Sequence, residues 1–290
     1  MAMERQTSWG GVVALYMFLG GTGAGIYTAS FMLGFISDLK WLAVTGMALG
    51  TILVILGLIC LLLEAGAPLQ SYRLFKGLST SWMSRGVLIQ ILFIISGLGY
   101  VLPGFWLSGW LSSGIALGSI ALVLALAIAT YHGMVLTEYR SIPLWSSSVL
   151  PLLSLFTALC TGLGLLLVIS PAYVGLYGST EVVKAANILG IMAIASIVGK
   201  LISLWSLMNT RSSAIYMESI RRLRTPIIAS VICLFLALLL LLSLVISGVT
   251  YLWSSPISGV LLLAGGFITR YSILKGGYYI PLRVPVPTSF

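Results

Sequence analysis

Apolar residues run in long blocks along this chain, and Arg, Lys, Pro and Ser collect in the short stretches between them. About 20 apolar residues, each rising about 1.5 Å, make a helix long enough to cross a hydrocarbon layer about 30 Å thick. Eight blocks meet that requirement, at about 9–36, 41–63, 84–103, 113–136, 149–169, 187–207, 226–248 and 257–274. The first is long enough to tilt or kink. Pro151 and Pro226 fall in predicted first turns, where a missing N–H leaves nothing unsatisfied. Lipid offers the backbone no hydrogen-bond partners, so each spanning segment must satisfy its own polar groups as a helix. The predicted fold class is all-α, a polytopic membrane bundle of eight transmembrane helices forming a single domain over 1–290. An even number of crossings places both termini on the same side. The opening MAMERQTSWGG runs into a long apolar block without a small-x-small cleavage site, and reads as a mature first helix.

Composition sharpens this picture. The chain is 59% hydrophobic and only 7% charged, whereas soluble domains carry about 25% charged residues. Nothing is left over for a soluble domain, and the expected location is the cell (cytoplasmic) membrane. The net charge of +9 is distributed unevenly. The face bearing the termini, side A, receives Arg5, Arg73, Lys76, Arg85, Arg140, Arg211, Arg221, Arg222, Arg224, Lys275 and Arg283, whereas side B receives Lys40 and Lys184. Positive-inside counting assigns side A to the cytoplasm. The same charges would also arise from docking a soluble partner, for which Arg73, Lys76, Arg140, Arg221 and Arg222 are the candidates. Such sparse charges in short loops speak of membrane orientation, not of nucleic acid. Cys60, Cys160 and Cys233 each sit inside an apolar run with no second ligand at metal spacing, and read as buried apolar residues.

The stretch FLGGTGAGIY, 18–27, crowds Gly20, Gly21, Gly23 and Gly25 together. A dinucleotide-binding loop would need a strand before it and a water-exposed helix after it. Here the glycines lie inside an apolar span, so that reading fails. Small residues in membrane helices let a neighbouring helix, or a flat ligand, approach the backbone closely.

Ionisable side chains at membrane depth are functional candidates because they are costly to bury. Glu64, His132, Glu138, Lys200 and Arg270 lie in or beside spans. Lys200 and Arg270 each come about 13 residues after their helix leaves side B, roughly 20 Å of travel, which puts both in the A half. His132 and its neighbour Tyr131 come near side A, and Glu64 ends a helix heading there. The polar groups thus gather in one leaflet, which suits a chemical site near one face better than a transmembrane ion path. Structural readings stand beside this one: Lys200 snorkelling, Arg270 pairing with Glu64, His132 as a hydrogen-bonded core residue. A single histidine cannot supply the paired axial imidazoles of a b-type haem, and no cysteine cluster exists for iron–sulfur ligation. Any redox role needs an organic carrier and electrons from another subunit. A transporter holding an anion between Lys200 and Arg270 is the alternative; the two halves show no obvious internal repeat, which many transporters have.

At this point the residues point to a family. WGGVVALYMFLGGTGAGIY resembles the first helix of the NrfD/PsrC family, the membrane subunits of polysulfide reductase-like complexes. LEAGAPLQSYRLFKGLSTSWMSRG is similar to that family's segment after the second helix, YHGMVLTEYRSIPLWSSSVLPLLSLFTALCTG to its fourth-to-fifth helix run, and LAGGFITRYSILKGGYY to its last helix. Glu64 stands where the family favours Asp, which keeps a carboxylate. Ala67 and Gln70 stand where Arg is usual, which removes two cations, while Arg73 remains.

The resemblance implies a haem-free anchor that reacts with menaquinone or ubiquinone near the face docking a four-cluster ferredoxin-like iron–sulfur subunit, itself wired to a molybdopterin-type catalytic subunit. By position, Tyr131 matches the tyrosine that hydrogen-bonds the quinone, and Glu64 the carboxylate in the proton route. Candidates for the quinone site are therefore Tyr16, Gly20, Gly21, Gly23, Tyr131 and His132. Glu64, Tyr131 and His132 are the proton-exchanging set, and Lys200 with Arg270 forms an intramembrane charge pair or relay. A passive anchor without a quinone site is the remaining alternative.

Overall fold

A computed structural model describes residues 9–37, 39–64, 81–107, 109–210, 214–247 and 251–279. Among them run eight long helices: α1 (Gly11–Ile36), α2 (Lys40–Glu64), α3 (Trp82–Gly104), α4 (Ile115–Thr137), α5 (Leu150–Ile169), α6 (Ser179–Asn209), α7 (Ala214–Ser247) and α8 (Tyr251–Lys275). All eight are long and apolar enough to cross a membrane, and no strand occurs among the described residues.

The first five helices fall close to their predicted blocks, and Pro151 lies in the first turn of α5 as expected. The last three start earlier than hydropathy indicates. Pro226 consequently lies inside α7 and not in its first turn, a correction to the sequence reading. The reason is amphipathicity: Tyr216, Ile220, Leu223 and Ile227 are buried at helical spacing, and Arg222 pairs with Glu218 one turn back at 3.2 Å. A charged helical turn that packs one face on the protein continues the helix beyond its apolar block. The early start of α6 is similar, with Val182, Ala185 and Ala186 buried beneath an exposed Glu181–Lys184 pair.

The helices form two groups of four in chain order. Within the first, α1 packs on α2 and α4, and α3 bridges α2 and α4; within the second, α5 packs on α6 and α8, and α7 bridges α6 and α8. The groups join mainly through α1 on α5 and α4 on α5. Small residues set that approach. The backbone of α1 at Gly25 meets α5 at Ala158 and Gly162 so closely that a side chain on either glycine would overlap the opposing main chain. Likewise a Cβ on Gly23 would sit 2.5 Å from the Gly50 carbonyl of α2. Without a hydrophobic driving force between helices in lipid, such close backbone contact is what holds a bundle together. It also makes α1 the most enclosed span, with 78% of its apolar window buried.

Candidate functional site

At one end of the first helix group three helices bring polar side chains together. Tyr16 on α1, Gln90 on α3 and Tyr131 on α4 are all buried. Gln90 Nε2 donates to the Tyr16 hydroxyl at 2.7 Å, and the Tyr131 hydroxyl, which interacts with Tyr16, also lies 3.4 Å from the Met83 carbonyl. Gly86 on α3 makes room for Tyr131, because a Cβ there would overlap the end of the phenol ring. The Gln90 carbonyl oxygen is buried without a hydrogen-bond partner, which is costly unless a ligand or water completes it.

His132 lies against the other side of Tyr16, with ring centroids 5.2 Å apart and nearly perpendicular planes. It is 2% exposed, and neither ring nitrogen has a partner. The α1 glycines explain how it fits: a Cβ on Gly20 would stand 3.2 Å from His132 Nε2, and one on Gly21 would overlap the Arg270 guanidinium. Arg270, reaching across from α8, donates to the Ser154 carbonyl at 3.4 Å. Two consecutive glycines therefore seat two polar side chains from different helix groups.

Lys200 is fully buried deeper in the second group, where Nζ donates to the Gly265 carbonyl at 3.2 Å. That oxygen also accepts from Ser230 at 2.8 Å and Thr269 at 2.7 Å. Lys200 thus bonds to α8, the helix that carries Arg270, and among the described residues no acid lies between the two. No Asp or Glu is among the buried residues described.

Other candidates lie elsewhere. Glu64 ends α2 in an exposed position, where its Oε1 would be 3.4 Å from a Cβ on Gly10, and it forms no pair with Arg270. Gly23, expected beside a quinone, instead has its face covered by Gly50 and Val54 of α2, so no ring can lie there. Arg140 and Arg221 are exposed, and Arg222 is exposed with its guanidinium 5.4 Å from the Tyr278 ring. Arg73 and Lys76 lie outside the described residues. Sequence reasoning missed Gln90, Ser154 and Gly86. The signal for Gln90 was available, since it is an amide inside an apolar span; nothing in the sequence singles out one Ser or Gly among many.

The arrangement supplies hydroxyl, amide and imidazole groups, all buried, while the carboxylate of Glu64 lies exposed at the end of α2, beside Gly10. Among the described residues no group of three or more His, Cys, Asp or Glu could hold a metal ion. No curated protein matches the chain. The family model described as polysulphide reductase, NrfD, matches residues 1–281, nearly the whole chain. With eight membrane-length helices and a match of that extent, this multi-pass membrane protein belongs to the polysulphide reductase NrfD family.

Proposed function

We propose that the protein is the haem-free membrane anchor and quinone-reactive subunit of a respiratory oxidoreductase, exchanging electrons between the quinone pool and an iron–sulfur subunit connected to a molybdopterin-type catalytic subunit. The observation that carries this reading is the buried Tyr16–Gln90–Tyr131 cluster with its orphaned Gln90 oxygen. The residues fit a menaquinone or ubiquinone headgroup, whose two oxygens need a donor when oxidised and an acceptor when reduced. When bound, the quinol form supplies two electrons and two protons. Tyr131 would donate to one ring oxygen, and Gln90 Oε1 would accept from the reduced ring. Tyr16 holds both of those side chains in place through its hydroxyl. Glu64, at the exposed end of α2, would take protons toward side A.

Support for one-sided proton exchange comes from the rest of the bundle. Toward side B the buried polar groups described are hydroxyls, such as Thr28, Ser30, Thr51, Ser170 and Ser255, and no carboxylate or imidazole is among them. Protons are therefore released on side A alone.

The test is quinone binding to the purified protein, followed by mass spectrometry of extracted quinone and of co-purifying subunits. Wild type should retain about one quinone per chain together with an iron–sulfur partner, and both Gln90→Leu and Tyr131→Phe should lose the quinone while keeping the partner. Quinone retained undiminished in both variants would refute the site. Uptake of a small anion by the isolated chain would instead favour transport.

A further inference from the structure

Three side chains from three helices, each with a partnerless polar atom, face a single cavity between the two helix groups. His132 of α4, Ser154 of α5 and Arg270 of α8 all line it, and it measures about 30 Å³. The His132 ring nitrogens, the Ser154 Oγ and the Arg270 Nε are each buried with no hydrogen-bond partner. Thr157 and Thr269 also line the cavity, but their hydroxyl protons are directed to the Leu153 and Gly265 carbonyls. The unsatisfied groups are thus mostly donors: a guanidinium N–H, a hydroxyl and one imidazole N–H.

Charge decides what they should hold. The Arg270 side chain is always a cation and is 93% removed from solvent, being 7% exposed. The other buried charged residue described is Lys200, which has the same sign, and among the described residues no buried carboxylate offsets either. A buried cation is strongly disfavoured unless compensated. A cavity of this size admits one halide or one to two waters and is far too small for a quinone ring. Water would satisfy the donors and leave the charge uncompensated.

We infer that the cavity is a small-anion site, in which one halide-sized anion is held by Arg270 Nε, Ser154 Oγ and His132, joining the two helix groups. The glycines at 20 and 21 serve this arrangement by letting His132 and Arg270 lie flat against α1. The site does not depend on the quinone reading, since anion binding can be read without quinone or turnover.

The experiment is thermal melting of the purified full chain in sodium bromide, sodium chloride and sodium gluconate at constant ionic strength, paired with bromide anomalous scattering from crystals. Bromide and chloride should raise the melting temperature saturably over gluconate, with an anomalous peak between Arg270 and Ser154. Loss of one hydrogen bond in Ser154→Ala should raise the half-saturating bromide concentration about threefold or more. Arg270→Gln should abolish the halide response; if that variant does not fold, Ser154→Ala carries the test alone. Identical melting in halide and gluconate, or a halide response unchanged in Ser154→Ala without an anomalous peak, would overturn the site and leave water as its occupant.

Discussion

Replacing Gly86 by Ala perturbs the candidate site without removing any polar group from it. A methyl on Gly86 would enter the van der Waals envelope of Tyr131 at Cζ, Cε2 and Oη. Carbon atoms separate to about 3.5 Å at contact, so the end of the phenol ring must withdraw by roughly 2 Å. That is the far end of a side chain with two rotatable bonds, and it can move where backbone cannot. The hydroxyl then leaves both Tyr16 and the Met83 carbonyl. Losing one neutral hydrogen bond is worth about 1 kcal/mol, or about fivefold in rate, and a misplacement beyond about 1 Å can cost up to about 100-fold. Quinol oxidation by the assembled complex should therefore fall in kcat/KM by between about 5- and 100-fold, while the amount of assembled complex stays near wild type. A double-mutant cycle with Tyr131→Phe isolates the route: in that background Gly86→Ala should add less than about twofold, because the hydroxyl it displaces is already gone. Wild-type turnover in Gly86→Ala, or its full factor appearing again in the double variant, would refute the role given to Tyr131.

Gly25→Ala should destabilise the protein far more than Gly34→Ala. At 25 the methyl meets the α5 main chain, whereas at 34 the nearest atom is the Ala43 methyl at 3.5 Å, an ordinary contact. Overpacking at a rigid backbone costs about 1–3 kcal/mol, readable as a melting difference between the two variants in detergent; equal melting would contradict the packing of α1 on α5. Gly23→Leu should fail in assembly rather than in quinone turnover alone, as a blue-native gel of membranes would reveal, since its face is occupied by α2. Lys200→Met should be neutral or stabilising in thermal melting, because Gly265 keeps its hydrogen bonds from Ser230 and Thr269 and a costly buried cation disappears. A drop of several degrees would give Lys200 a binding partner that the fold does not account for. Neutralising Arg140, Arg221 and Arg222 together should weaken association with the proposed iron–sulfur subunit and flatten its salt dependence, with little change in melting; unaltered association would remove them from the proposed docking surface.

The spans and the all-helical class were legible in the residue order because lipid imposes one rule on every segment, about 20 apolar residues that satisfy their own backbone, and the family was legible through the resemblance of four stretches. That rule reads hydropathy well and amphipathicity poorly. Hydropathy alone therefore starts the seventh span at Pro226, after the amphipathic turns from Ala214 to Arg224 that belong to the same helix. Tyr131 and His132 were visible as polar residues at the end of an apolar run, and Tyr16 through the resemblance of its helix.

Contacts between helices were a different matter. In lipid every apolar face is equally content, so the pattern along one helix does not name the helix it touches; close backbone fit does, and that exists only in three dimensions. The sequence by itself determined that Gly20 to Gly25 serve close approach. Only the tertiary structure decided that Gly20 receives an imidazole, Gly21 a guanidinium, and Gly23 and Gly25 the backbones of α2 and α5. The same holds for architecture: no repeat was evident in the residues, yet two four-helix groups share one packing order, because that order depends on which faces approach, and many different small residues permit the same approach.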